Sequence, residues 1–208
     1  MSTENLSGRK KQAARNDAVI LDAARAVFLD DPKAPIAAVA ERAGVGISAL
    51  YRRYANKEDL LRRLCHDGLR LFIAEAERAD EEPDDWQALT TFLAAIVDAD
   101  VHSLTVHLAG LFVPTPEMGA DAQRASELSR HLFERARTAN AVRPDAVPDD
   151  LGLLLEGCAA IRFPDPDRTR ELRRRYLALQ LDGLAAHRTA LPGPPPEGAD
   201  FRWRWVQR

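Results

Sequence analysis

Residues 36–61 read IAAVAERAGVGISALYRRYANKEDLL, and this stretch decides the fold. Ile36, Val39 and Ala40 recur at the spacing that places side chains on one face of a helix. Gly44 is suited to end that helix, because the residue after a last helical turn often takes the left-handed conformation that glycine tolerates best. The pattern predicts a short amphipathic helix followed by a tight turn.

A second short helix is predicted directly after that turn, over residues 46–54. Its first residues are small or polar, which allows the backbone of a recognition helix to approach base edges. Ser48 can hydrogen-bond a base, and Ile47 or Ala49 can contact a thymine methyl group. Two short helices joined by a glycine turn predict a helix-turn-helix.

Four further side chains are candidate contacts to the DNA backbone: Tyr51, Arg52, Arg53 and Lys57. The first three follow the small residues of the second helix, and Arg52 shares a face with Ser48. Lys57 stands at the start of the next helix, where exposed backbone N–H groups also attract phosphate. Such contacts position a protein on a duplex without specifying sequence.

Residues 15–65 resemble the DNA-binding domain of the TetR family of regulators. The matching positions are Val39, Ala40, Ala43, Gly44, Val45, Leu50, Tyr51, Tyr54, Lys57, Glu58 and Leu60. The resemblance implies that Tyr51 and Lys57 clamp the DNA backbone, that Arg53 occupies a phosphate-contacting position, and that residues 47–49 read bases.

The sequence departs from this family at two positions. Pro35 stands where an N-cap threonine is common, and Ala37 stands where a basic phosphate-binding residue is frequent. The helix that begins there is therefore expected to contribute little beyond its N–H groups. The basic tract 9–15 is expected either to act as a flexible arm on DNA or to be a solubilising tail.

Charge is distributed unevenly along the 208 residues. The whole chain carries −3, but residues 1–65 hold twelve Lys and Arg against eight Asp and Glu, a net charge of +4. The remaining 143 residues hold 17 against 24, a net charge of −7. A basic segment attached to an acidic one is compatible with a polyanionic partner for the basic segment alone.

Helical periodicity extends to about residue 190, so we expect an all-α fold of about nine helices. The expected helices are 16–29, 35–43, 46–54, 56–79, 85–101, 103–112, 120–140, 148–162 and 166–189. The expected domains are a basic arm (1–14), a helix-turn-helix domain of three helices (15–65), a ligand-binding and dimerisation domain (66–190) and a Pro-rich, aromatic and basic tail (191–208).

The ninth predicted helix has two apolar faces about 140° apart on a helical wheel. One contact to a core would leave the second face in water, and a four-helix bundle formed by two subunits would cover it. The sequence therefore predicts a homodimer. The expected interface residues are Leu151, Leu154, Leu155, Cys158, Leu172, Tyr176, Leu179 and Gly183.

The second domain contains enough apolar residues to line a cavity for a small effector, although an ordinary core would use the same residues. Fold-level analogy suggests an apolar or amphipathic effector without identifying it. The candidate lining residues are Trp86, Phe92, Ile96, His102, His107, Leu111, Phe112 and Phe133.

No segment has the features of a signal peptide or a membrane span, so we expect a cytoplasmic protein. Cys65 and Cys158 lack metal-type spacing, and the five histidines form no metal pair or nucleophile pattern, so we expect no metal, no cofactor and no catalysis. The leading hypothesis is a repressor that binds a palindromic operator in double-stranded DNA as a dimer and is released by an effector. The alternatives are a DNA-binding module controlled by a partner without a small ligand, and a cytoplasmic helical enzyme.

Overall fold

Helices form nearly all of the regular structure in the residues that the computed structural model describes, which are 3–186, 191, 194–202 and 205. No strand occurs among them, and the predicted all-α class is confirmed. The helices are α1 (Thr3–Asp30), α2 (Ile36–Ala43), α3 (Ile47–Tyr51), α4 (Lys57–Asp80), α5 (Asp85–Asp98), α6 (Val101–Leu108), α7 (Pro116–Thr138), α8 (Asp150–Ala160), α9 (Pro166–Leu184) and α10 (Gly198–Arg202).

The starts of two helices differ most from the sequence-based expectation. Helix α1 begins at Thr3, so most of the expected arm is helical, as its Lys, Arg, Gln and Ala content favours. Helix α7 begins at Pro116 because Thr115 caps it, accepting a hydrogen bond of 3.2 Å from the Met118 N–H. The basic side chains of residues 9–15 and part of the tail (191–208) lie outside the described residues.

The chain divides into two compact units, and the division falls within α4. The first unit comprises residues 1–65 together with 111–113, and the second comprises 66–110 with 114–208. In the first unit Gly44 adopts the left-handed conformation at φ 65° and ends α2, which confirms its predicted role. Asn56 caps α4 by accepting a hydrogen bond of 2.8 Å from the Asp59 N–H.

The core of the second unit is built around α5. Leu89, Phe92, Leu93 and Ile96 are almost fully buried, and Phe72 of α4 meets the Phe92 ring edge-on, with ring centroids 5.0 Å apart. Among the described residues no single helix has the length and apolar content to cross a bilayer. Helices α5 and α6 together reach that length and apolar content, but the chain bends by 60° between them.

Helices α8 and α9 approach each other closely at Gly157. A β-carbon at that position would lie 2.5 Å from the Tyr176 hydroxyl oxygen, so the tyrosine ring occupies space that any other residue would fill. At the far end of α9, Val142 and Ala185 form an isolated antiparallel bridge, which joins the α7–α8 connection to the end of α9. Backbone and side-chain packing together fix the position of α9 within this unit.

A buried arginine connects α9 to two other elements. Arg173 is 5% exposed, and its guanidinium donates hydrogen bonds to the Asp100 carboxylate, to Ser103 Oγ at 3.2 Å and to the Ile161 carbonyl at 2.9 Å. Asp100 lies between α5 and α6 at φ 52°, a conformation that costs energy for a residue with a side chain. The ion pair therefore helps to hold the bend between α5 and α6.

The neighbouring arginines of α9 provide a matched test of this contact. Arg173→Met leaves Asp100 without its buried cation, and we expect the free energy of unfolding to fall by about 3 kcal/mol. Arg174→Met removes an exposed pair with Asp98 and should cost less than about 1 kcal/mol. Urea denaturation at one fixed protein concentration measures both, and equal losses would contradict the role assigned to Arg173.

Candidate DNA-binding surface and ligand cavity

Helix α3 presents one face outward because a single leucine anchors the other. Leu50 is fully buried, whereas Ile47 and Tyr51 are 39% and 50% exposed. Ser48 is also exposed and Ala49 is half-buried, so the predicted base-reading residues share the outer side of a five-residue helix. An exposed isoleucine can contact a thymine methyl group, and an exposed tyrosine hydroxyl can hydrogen-bond a phosphate.

Arg53 is anchored at its inner end. Its Nε donates to Asp17 Oδ1, and the same oxygen accepts a hydrogen bond of 2.6 Å from the Tyr54 hydroxyl. Partial burial raises the pKa of the Asp17 carboxyl, but the hydrogen bonds from Arg53 and Tyr54 outweigh it, so the pKa is lowered. Arg53 remains about one third exposed, and Arg52 is exposed beside it. Sequence reasoning did not identify Asp17, which lies 36 residues before Arg53.

Lys57 makes contacts within its own unit. Its ammonium donates to the Pro32 carbonyl at 2.9 Å and to the Ala34 carbonyl at 2.7 Å, and lies 5.0 Å from the centroid of the Phe28 ring. Desolvation lowers the pKa of this amine. Because an ammonium group has three donors, two internal hydrogen bonds leave one for a phosphate. Lys57 therefore also fastens the loop between α1 and α2.

Residues 111–113 join the first turns of α4 through backbone contacts. Glu58 Oε1 accepts a hydrogen bond of 3.0 Å from the Val113 N–H, and Arg62 Nε donates one of 2.9 Å to the Val113 carbonyl. The hydrogen bond from Val113, which outweighs slight desolvation, lowers the pKa of Glu58. Arg62 also pairs with Glu58 at 2.5 Å, so the paired side chains together hold the backbone N–H and C=O of Val113.

The second unit contains a cavity of about 370 Å³ whose wall is apolar with a polar minority. Residues of α4, α6, α7 and α8 contribute to it. The polar lining side chains are His102, Thr105, Ser126, Ser129, Arg130 and Asp149. The larger apolar ones are Leu69, Phe72, Val101, Leu151 and Leu155. Its size and composition are typical of a small-ligand site.

Of the eight lining candidates from the sequence, His102 alone lines this cavity among the described residues. Phe92, Ile96 and Phe133 are packed in the core. Trp86 packs against that core, His107 bonds the Ser103 carbonyl, Phe112 is buried and Leu111 lies in the first unit. These seven residues are therefore not part of this cavity wall, and their role as ligand contacts stays a prediction.

The predicted dimer residues separate into two groups. Leu151, Leu154, Leu155 and Cys158 of α8 are buried in the core of their own chain, and so the apolar surface that α8 exposes is at Leu153. Burial raises the pKa of the Cys158 thiol to about 11. The α9 candidates Leu172 and Tyr176 are half-buried, whereas Leu179 and Gly183 are exposed.

A mixed cluster of side chains joins α4 to α7 in the second unit. His66 Nε2 lies 2.7 Å from Asp121 Oδ2, and ligand-type atoms of these two residues and Glu117 lie within 4.8 Å of one another. The Arg70 guanidinium bonds Glu117 at 2.8 Å and lies 3.9 Å from Asp121, so one protein cation already interacts with both carboxylates. The cluster is explained as an ion-pair network between two helices.

Both units match known protein families. Residues 20–64 match the family described as bacterial regulatory proteins, tetR family. Residues 83–186 match the C-terminal domain described as transcriptional regulator SbtR-like. The first match contains α2, α3 and the exposed surface that α3 presents. The second contains most of the cavity wall.

Relatives that cover two thirds or more of the chain agree. The chain is 33% identical over 144 residues to the HTH-type transcriptional repressor LfrR of Mycolicibacterium smegmatis, an alignment that covers 68% of this chain and 72% of LfrR. The crystal structure of LfrR with proflavine matches with a TM-score of 0.56 at 26% identity, covering 86% of this chain and 99% of that one. The structure of the TetR regulator SCO0520 from Streptomyces coelicolor matches with a TM-score of 0.58 at 25% identity, covering 82% and 99%. The chain therefore belongs to the TetR family of DNA-binding transcriptional regulators.

Proposed function

We propose that this regulator is a repressor that binds a palindromic operator as a homodimer and dissociates when a small molecule occupies its cavity. The observation that carries the proposal is the outer face of α3, where Tyr51 and Ile47 are exposed above a fully buried Leu50. A dimer presents this face twice, and binding to one side of a duplex requires a separation of about 34–36 Å. As a DNA-binding regulator without catalytic activity of its own, it would act in the cytoplasm.

Dimerisation is supported by the exposed surface of α8 and α9. Leu153 and Leu179 are 50% and 61% exposed, while Leu177 and Leu184 on the opposite side of α9 are buried in the chain. Exposed leucines on packed helices are typical of a surface that a second subunit covers. The proposed interface therefore consists of Leu153 on α8 and the face of α9 that includes Leu172, Tyr176 and Leu179.

Effector control is supported by the cavity and by the ligand-bound relative. A volume of about 370 Å³ fits a small molecule with a few fused or linked rings. LfrR crystallised with proflavine, and we propose that this chain also takes a mainly apolar ligand of that size. A pocket of this size favours ligand control over the alternative of a DNA-binding module without a small ligand.

The coupling we propose passes through residues 109–113. The cavity wall includes Val101, His102 and Thr105 of α6, and the chain beyond α6 leads to Val113, whose backbone N–H and C=O are held by Glu58 and Arg62 at the start of α4. A ligand acts only through a difference in affinity between two states. We propose that the occupied cavity favours a position of α6 that displaces this peptide and hence α4.

Tyr51→Phe tests the DNA-binding surface by removing only a hydroxyl group. We expect affinity for a selected operator and for unrelated duplex to fall by a similar factor, about tenfold, because a phosphate contact carries no sequence information. Fluorescence anisotropy at several salt concentrations measures this. Ser48→Ala is the comparison, which should change the ratio between operator and unrelated duplex. Unaltered binding in both variants would refute the assigned surface. Lys57 is a poor test, because its loss would also release two loop carbonyls.

Leu179→Glu tests the proposed dimer interface. A buried, unpaired carboxylate at the interface is strongly unfavourable, so we expect this variant to sediment as a monomer at micromolar concentration while the parent chain sediments as a dimer. Leu71→Glu is the control, because Leu71 is a leucine of α4 that is 37% exposed. A dimeric Leu179→Glu would place the interface elsewhere.

Ser126→Trp tests the cavity by filling it from α7. With proflavine as probe, we expect the parent chain to bind the dye and to release operator DNA, and Ser126→Trp to lose both responses while still binding DNA. Gln123→Trp is the control, because Gln123 is on the same helix but not in the cavity wall. Proflavine fluorescence and operator anisotropy report the two events. Dye binding that survives Ser126→Trp would exclude this cavity as the site.

A further inference from the structure

Asp17 is an acidic side chain beside a surface that we propose binds a polyanion. It contacts Arg53, the exposed residue just after α3, and its carboxylate is about one fifth exposed. Coulomb's law alone makes such a carboxylate unfavourable for DNA binding, because it repels the phosphates. By that argument its removal should strengthen binding.

The contacts of Asp17 suggest instead that its removal weakens DNA binding. One oxygen accepts hydrogen bonds from both Arg53 Nε and the Tyr54 hydroxyl, and Tyr54 is itself buried. Arg63 of α4 adds a second positive charge near the same carboxylate. Asp17 is thus held by groups from α4 and from the segment after α3, and its charge is compensated within the first unit.

The geometry also leaves Arg53 able to bind an anion. A guanidinium has five N–H donors in a fixed plane, and Asp17 uses the one on Nε. The two terminal nitrogens carry the other four. Since the Asp17 contact restricts the side chain before DNA arrives, less conformational entropy is lost when a phosphate binds.

We infer that Asp17 is a positioning residue for operator binding, which fixes the Arg53 guanidinium so that its terminal nitrogens meet a DNA phosphate. The inference rests on the proposed function. Asp17 itself touches no DNA in this arrangement, and its net contribution to operator affinity is favourable despite its charge.

A double-mutant cycle on the full chain tests the inference. Asp17→Asn is expected to weaken operator binding about fivefold and to reduce the slope of log affinity against log salt by about 0.9, the contribution of one phosphate contact. In an Arg53→Met background the same substitution should strengthen binding about twofold, since only the repulsion remains to be removed. This reversal of sign is the expected result.

Two other outcomes of the double-mutant cycle would overturn the inference about Asp17. Stronger binding after Asp17→Asn in both backgrounds would make Asp17 a simple repulsive charge. Equal weakening in both backgrounds, with an unchanged salt slope, would make it a purely structural residue of α1. Tyr54→Phe is the matched control, because it removes the other hydrogen bond to Asp17 and leaves the Arg53 pair; we expect the salt slope to remain that of the parent chain.

A measurement on the unaltered protein covers the case in which Asp17→Asn fails to fold. The heteronuclear NOE of the Arg53 Nε–H in the DNA-free protein should be that of a rigid group. Arg52 is the internal comparison, because the described structure shows no ion pair for it, and its Nε–H should be mobile. Equal mobility of the two would overturn the inference. If the parent chain binds no duplex at all after operator selection, the proposed function fails instead, and the two failures are thereby distinguished.

Discussion

The burial of Leu50 is the constraint on which the proposed DNA-binding surface depends. Helix α3 has five residues, and a helix this short has no stability of its own in water. It persists because Leu50 is fully buried in the first unit and because Gly44 turns the chain at the end of α2. With Leu50 fixed inward, Ser48 and Tyr51 lie away from the buried side of the helix, and Ile47 in its first turn stays 39% exposed. The proposed DNA-binding surface is therefore a consequence of core packing one residue away.

Positive charge on this surface is less freely available than a count of basic residues implies. Lys57 donates two of its three hydrogen bonds to loop carbonyls, and Arg53 is paired with Asp17. Both side chains thus begin in defined positions, which reduces the number of rotamers to be fixed on binding. The net charge of +4 over residues 1–65 accounts for attraction to a polyanion, while the pairing determines where each cation is held.

Local structure could be predicted from the sequence, whereas contacts between residues far apart in the chain could not. The Gly44 turn, the Asn56 cap and the outward side of α3 follow from residues within one or two helical turns of each other. The Asp17 contact links residues 36 positions apart, and no periodicity signals it. For α8 and α9 the wheel showed apolar faces, but which face is buried depends on which helix packs there. Phe92 and Ile96 illustrate the same limit, because a core and a cavity wall select the same residue types.

The contact between Gly157 and Tyr176 has a consequence for engineering. In the proposed dimeric state, two such regulators expressed in one cell would exchange subunits unless their interfaces differed. Because the glycine allows the tyrosine ring to lie flush against α8, a change at either position would alter the spacing of the two helices and disturb every contact at once. Leu153 and Leu179 lie outside that contact, so orthogonal pairs are better designed by exchanging shape and charge there while the glycine and tyrosine are retained.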